Sequence, residues 1–246
     1  MSDALFAIFV ALTFVAAGFV KGVIGLGLPT VAVGVLGLAL SPAQAAALLV
    51  VPSLVTNVWQ CAFGARLIPL LRRLWPMLLG IVVGTWGASG LLAGGNGAAS
   101  VALGSTLIAY AAIGLAAPKL HIPARAEPWS SPLAGVATGV VTAATGVLVI
   151  PAVPYLQALA LDQDELVQAM GLSFTVSTVA LAGSLAHEGL FEAPLAGASA
   201  LALLPALAGM WLGQRIRHRI RPDRFRFCLF AGLLAVGGHL VLRPLL

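Results

Sequence analysis

The chain has 246 residues, of which 60% are hydrophobic and 9% charged, and its mean hydropathy is +1.05. A soluble domain carries roughly a quarter charged residues, so these values exclude one and predict an integral membrane protein with no room for a separate extramembrane domain. The formal charge of +5 does not signal nucleic acid, because the arginines cluster in short connections beside apolar spans, so no nucleic-acid partner is expected.

The first residues, Met-Ser-Asp, lack the positive n-region of a secretory signal, and the first apolar segment is expected to be retained. An apolar run from Ala4 to Leu40 exceeds the roughly 20 helical residues of one crossing. It is interrupted over 18–29 by Gly18, Gly22, Gly25, Gly27 and Pro29, with Lys21 among them. Glycine and proline let a membrane helix stop and restart where its freed backbone faces protein or a ligand. The flanking pieces, Ala4 to Gly18 and Leu28 to Leu40, each read as short for a full crossing, which predicts a broken hairpin.

Ser41-Pro42 opens a span to about Gly64, with serine as N-cap and proline as the first helical residue. The connection 65–73 carries Arg66, Arg72 and Arg73. Spans from about Trp75 to Leu92 and from Ala98 to Ala117 follow, separated by the turn Gly94-Gly-Asn-Gly97. A loop with Lys119, His121, Arg125 and Glu127, rich in proline, marks the boundary between halves. The predicted division is a first repeat over 1–120, a cytoplasmic linker over 121–132 and a second repeat over 133–246, all in one transmembrane domain.

At a shift of 121 residues Gly18 falls on Gly139, Gly25 on Gly146, Ala39-Leu40 on Ala160-Leu161 and Thr56 on Ser177. After an insertion near His187, Gly84 and Trp86 fall on Gly209 and Trp211. Weak internal symmetry of this kind is common in transporters. The loops 65–73, 118–130 and 214–226 hold most of the positive charge and are expected inside, with His187, Glu188, Glu192 and both termini outside. The predicted fold is thus an all-α polytopic membrane protein with two inverted-topology repeats, each a broken helical hairpin plus three transmembrane helices, giving eight to ten membrane segments.

Cys61 and Cys228 form no metal or redox spacing, and no nucleophile turn, zinc helix or phosphate loop is present. No catalytic residue, metal or cofactor is expected. His187-Glu188 reads either as a proton-handling pair or as a polar interfacial loop. Polar residues inside spans are more informative, because hydrocarbon penalises them unless they face a partner or cavity. Ser53, Asn57 and Gln60 share one helical face, with Thr56 beside them; the counterpart span carries Ser173, Ser177 and Ser184, with Thr175 and Thr178 close by. Interhelical hydrogen bonding is the alternative for the hydroxyls, whereas Asn57 and Gln60 point to a cavity. Lys21 reads either as an interfacial lysine that snorkels or as the charge of an anion site, beside the dipole end of the helix starting near Leu28. A second helix end follows Gly146 near Ile150-Pro151, and two such N-termini would together favour an anion.

At these residues the sequence resembles the TauE/SafE family of sulfite and organosulfonate exporters. The motifs are Gly18-Phe-Val-Lys-Gly-Val-Ile-Gly-Leu-Gly-Leu-Pro29, Leu40-Ser-Pro-Ala-Gln-Ala and Val51-Pro-Ser-Leu-Val-Thr-Asn-Val-Trp-Gln60. In the second half they are Gly139-Val-Val-Thr-Ala-Ala-Thr-Gly146 followed by Pro151, Ala169-Met-Gly-Leu-Ser-Phe-Thr and the Gly189-Leu-Phe turn. The resemblance implies a permease for sulfur-containing organic or inorganic anions, coupled to the proton gradient. The family's glycine clusters are thinned here to Gly25-Leu-Gly-Leu and Gly146-Val-Leu-Val-Ile, which points to a smaller or more apolar site.

The expected function is a secondary active transporter of a small sulfur-containing or organic anion across the cytoplasmic membrane, with protons and membrane lipid as the other partners. Its expected substrate-binding residues are Lys21, Gly25, Gly27, Thr30, Asn57 and Gln60 from the first half. From the second they are Thr142, Thr145, Gly146, Ser173, Ser177 and Thr178. An anion channel is the alternative; a membrane scaffold or enzyme subunit would need a titratable cluster or exposed surface that the sequence lacks.

Overall fold

The computed structural model describes residues 3–62, 64, 66–93, 97–116 and 120–243, and every regular element among them is helical. In chain order these are α1 (Asp3–Ile24), α2 (Leu28–Leu36), α3 (Pro42–Ala62), α4 (Leu67–Gly87), α5 (Ala98–Ala116), α6 (Glu127–Thr145), α7 (Ala152–Gln157), α8 (Gln163–His187), α9 (Ala193–Ile216) and α10 (Pro222–Leu242), with short 3₁₀ turns at Leu91–Ala93 and Arg217–Arg219. Among the described residues, seven helices are long and apolar enough to cross a membrane: α1, α3, α4, α5, α8, α9 and α10. The expected turn residues 94–96 and Lys119 lie outside the described residues.

The first break differs from the sequence expectation. α1 continues unbroken through Gly18 and Gly22 to Ile24, so it is long enough to cross, and Lys21 lies in its last turn rather than in the break. The physical reason is packing: a Cβ on Gly18 would strike the Ala206 carbonyl and one on Gly22 the Met210 carbonyl, so these two glycines let α1 lie directly on α9. The break is confined to Gly25-Leu-Gly27, where both glycines adopt positive φ (80° and 104°) that other residues resist. α2 stays short, at nine residues. α4 also starts earlier than expected, at Leu67, which places Arg72 and Arg73 on its first turns. Arg73 donates to both carboxylate oxygens of Glu127 at 2.7 and 2.9 Å and is thereby held against the start of α6. α6 begins inside the expected linker, with Pro128 in its first turn.

The start of α3 follows the sequence, and two helix starts among the described residues carry side-chain caps. Ser41 and Gln44 form a reciprocal capping box on α3: the Gln44 amide donates to Ser41 Oγ and the Ser41 amide to Gln44 Oε1, both at 3.2 Å. At α8 the Asp162 carboxylate accepts from the Glu165 amide at 2.8 Å.

Four pairings organise the bundle, and small residues permit each. α1 lies parallel to α9 through Gly18, Gly22, Gly209 and Gly213; α4 lies parallel to α6 through Gly80, Gly84, Gly135 and Gly139. α3 runs antiparallel to α8, with Gln60 opposite Val167, Gly171 against Asn57 and Ser53 opposite Thr178. α5 and α10 form a further antiparallel pair around Gly104 and Gly237. The ends of α1, α3 and α9 and the starts of α4 and α8 meet at one arginine-rich end of the bundle. At the opposite end Trp86 packs on His187, with ring centroids 5.9 Å apart, and Arg243 reaches the Leu38 carbonyl at 3.4 Å.

Pro52 sits inside α3, so the Leu48 carbonyl has no helical N–H to accept. Ser199 of α9 fills this gap: its hydroxyl donates to the Leu48 carbonyl at 2.9 Å and accepts from the Val51 amide at 3.0 Å. Ser199→Ala is expected to strand both groups in the core and to destabilise the protein by about 1–3 kcal/mol, read as a lowered midpoint of thermal unfolding in detergent.

Candidate functional site

Lys21 is the starting point. It is 4% exposed, and its ammonium donates to the side-chain oxygen of Asn57 on α3. An ammonium has only donors, so this contact fixes the Asn57 amide: oxygen toward Lys21, NH₂ away. The NH₂ donates to Ser53 Oγ at 2.9 Å, one turn back along α3. Ser53 Oγ lies 3.1 Å from Thr178 Oγ1 on α8, and the Thr178 hydroxyl donates to the Phe174 carbonyl at 2.7 Å. With that hydrogen committed, Ser53 is the donor to Thr178. Every donor along Lys21, Asn57, Ser53 and Thr178 therefore points the same way, from the cation on α1 across α3 into α8. Ser53, Asn57 and Thr178 are all buried to within 1%.

Among the described residues the two ion pairs are Arg66–Glu165 and Arg73–Glu127, and no carboxylate pairs with Lys21. An ammonium in a low-dielectric interior with one neutral acceptor is incompletely compensated, and such a charge in a membrane bundle ordinarily has a partner. A cavity of about 680 Å³ reaches it from the arginine-rich end. Its base is Lys21, Thr56 and Gln60; its wall includes Gly25 of the break, and its mouth carries Arg66, Glu165 and Arg217. Gln60 is braced by donating to the Val167 carbonyl at 2.9 Å. Arg66 is 3.8 Å from Glu165 at the mouth.

The remaining expected residues lie elsewhere. Gly27 caps α2 in the left-handed conformation, facing Val20 of α1. Thr30, Ser173 and Ser177 are completely buried, and their hydroxyls have no hydrogen-bond partner among the described residues. Thr142 and Thr145 are engaged in local turn bonds around the second break. Thr142 donates to the Val147 carbonyl at 3.3 Å, and Thr145 both donates to the Val141 carbonyl and accepts from the Val147 amide. Gly146 there has a φ of 73° and packs against Ala46. The segment after it is filled by Val147, Leu148 and Val149, all fully buried, and α7 has only six residues. The two breaks therefore differ: the first walls a polar cavity, while the second is plugged by apolar side chains.

Gln168 has a positioning role that sequence reasoning missed. Buried on α8, it donates to the Cys61 and Gly64 carbonyls at 2.7 and 2.8 Å and accepts from the Arg66 amide at 3.0 Å. It thus closes the C-terminal end of α3 and sets the turn into α4, one turn from Gln60. The signal for it was its place on α8, opposite a helix end that needs capping.

A family model for the sulfite exporter TauE/SafE matches residues 10–240. The chain belongs to the TauE/SafE family. It is a multi-pass membrane transporter and not an enzyme. Searches of curated proteins and of solved structures each found no match.

Proposed function

We propose that this TauE/SafE protein is a secondary active transporter of small sulfur-containing or organic anions, with Lys21 supplying the charge of the binding site. The observation that carries the proposal is the buried, carboxylate-free ammonium at the base of a 680 Å³ cavity. A dehydrated anion arriving there would complete the compensation that Asn57 alone leaves unfinished, with the second amide hydrogen of Gln60 as a neighbouring donor; the Thr56 hydroxyl is already donated to the Pro52 carbonyl at 2.8 Å.

The same proposal takes the halves as inverted repeats. A twofold axis in the membrane plane relating α1–α5 to α6–α10 would convert the α1/α9 pairing into α6/α4 and would return α3/α8 and α5/α10 to themselves as antiparallel pairs; all of these pairings are present. On this reading alternating access is a rearrangement of one half against the other, and the present cavity is the inward-open path. The arginine-rich end then faces the cytoplasm, because Arg66, Arg72, Arg73, Arg125 and the six arginines of 214–226 all belong to it. The membrane is the cytoplasmic membrane, and the driving gradient is the proton gradient.

The test is counterflow in proteoliposomes loaded with unlabelled sulfite or methanesulfonate. Saturable uptake of labelled anion, stimulated by internal anion and by an imposed pH gradient, is the expected result. Uptake that internal anion does not stimulate and that follows only the electrical potential would instead identify a channel.

A further inference from the structure

Two close helix approaches recur at matching positions of the two halves. Gly18 of α1 lies on the Ala206 carbonyl of α9, and Gly139 of α6 lies on the Ile81 carbonyl of α4. Gly209 lies on the Val15 carbonyl and Gly84 on the Val136 carbonyl. The register that sets Gly18 on Gly139 and Gly84 on Gly209 also carries the lining of the Lys21 cavity to residues toward the opposite end of the bundle. Lys21 falls on Thr142, Thr56 on Ser177, Met210 on Thr85 and Arg217 on Leu92. The two sets differ in exposure. Gly25, Val167 and Met210 are half-buried around the open cavity and Arg217 is exposed at its mouth, whereas Gly146, Ala46, Thr85 and Leu92 at the matching positions are all buried. Leu92 belongs to the 3₁₀ turn after α4, and that turn packs on α6, α3 and α5. Thr142, Ser177 and Thr85 are completely buried, and the Ser177 hydroxyl has no hydrogen-bond partner among the described residues. An unpaired hydroxyl costs free energy in such an interior, so one that is kept there calls for a ligand or for a second state that satisfies it.

We propose that Thr142, Ser177 and Thr85 line the second access path of the anion, which opens at the end remote from the arginines, and that Leu92 is the side chain that shuts it. This rests on the transport and inverted-repeat reading above and adds to it the residues of the outer path. Ser177 is the hydroxyl free to donate to an anion; Thr142 and Thr85 already donate to the Val147 and Ile81 carbonyls and serve as polar wall. The two paths differ in charge, because a neutral threonine stands where Lys21 has its match and a leucine where Arg217 has its own. The hydrogen-bonded chain from Lys21 through Asn57 and Ser53 ends at Thr178, the match of Asn57, and so runs from the open path to the shut one.

The experiment labels single introduced cysteines with a membrane-impermeant anion, sulfonatoethyl methanethiosulfonate, applied to one face at a time in sealed vesicles. The background is a Cys228→Ser chain, whose remaining Cys61 is buried and sets the baseline. Thr56→Cys is expected to react from the arginine-rich end, and Ser177→Cys and Thr85→Cys from the opposite end only. Leu92→Ala is expected to speed the reaction of Ser177→Cys and Thr85→Cys by on the order of tenfold, because the shut state alone loses a buried side chain. Reaction of these two cysteines from the arginine-rich end, or of neither from either face, overturns the proposal. A labelling rate that Leu92→Ala leaves unchanged also overturns it. If the unsubstituted chain exchanges anions and Thr56→Cys reacts from the arginine-rich end, the transport reading stands through each of these failures; an unsubstituted chain that exchanges no anion sinks both.

Discussion

Lys21→Met is expected to abolish anion exchange while leaving a folded protein. Methionine keeps the length and apolar stem of the lysine in a site where the side chain is almost completely enclosed. What it removes is the cation. Losing one partner of a buried, hydrogen-bonded charge pair costs about 2–5 kcal/mol, so the apparent affinity should fall by roughly 30-fold to several thousand-fold. Folding responds differently. Asn57 loses its donor, at about 1–3 kcal/mol, but the desolvated ammonium is lost as well, and the two effects oppose each other. A monodisperse gel-filtration profile with normal unfolding temperature, together with absent exchange, is the expected pair of results. Unchanged exchange would remove Lys21 from the site. Asn57→Asp sharpens the test, because it places a permanent carboxylate on the ammonium. If the incoming anion is the missing counter-ion, this internal one competes with it, and exchange should fall even though the folded protein gains an ion pair. A purely structural lysine would tolerate the same change.

What the sequence made legible, and what it concealed, follows from how each group finds its partner. Ser53 and Asn57 are four residues apart on a helix, so their shared face was readable, and the 121-residue shift brought α8 into correspondence with α3. Their hydrogen bond to each other and the link from Ser53 to Thr178 lie on that face. Glycine was harder. Gly18 and Gly22 serve close helix approach, Gly25 and Gly27 serve positive φ, and a sequence shows the same letter for both uses. That is why the break reads from the sequence as earlier and wider than it is. Thr142 and Thr145 carry the same hydroxyl as Thr178, but their bonds go to backbone at and before the turn at Gly146, whereas Thr178 also meets Ser53 of another helix. Ser199 was concealed although half of its signal was present: Pro52 inside an apolar span announces an unpaired carbonyl four residues earlier, but not which helix supplies the donor.

Gly84→Ala and Gly209→Ala are each expected to prevent correct assembly, and valine at either position should be no more tolerable. At Gly84 the added Cβ itself would strike the Val136 carbonyl of α6; at Gly209 it would strike the Val15 carbonyl of α1. The obstacle is backbone in a helix, not the tip of a side chain, so no rotamer change relieves it and the two helices must separate. Overpacking of a well-filled interior costs about 1–3 kcal/mol even when side chains can shift. Here the separation also loosens contacts along a whole crossing, against a total stability of about 5–15 kcal/mol for an ordinary domain. Gly197→Ala is the control. It is in the interior of α9 with no heavy atom within 4 Å of the new Cβ, and it should stabilise by up to about 1 kcal/mol through helix propensity. Size-exclusion profiles and unfolding temperatures of the three alanine variants decide the matter: a tolerated Gly84→Ala would mean that α4 and α6 do not approach this closely. The two crossings involve different helix pairs, α4 with α6 and α9 with α1, yet Gly84 and Gly209 are matched positions of the two halves. Similar losses at both sites are what an interface used twice requires, whereas a large loss at one and a small loss at the other would count against the inverted-repeat reading.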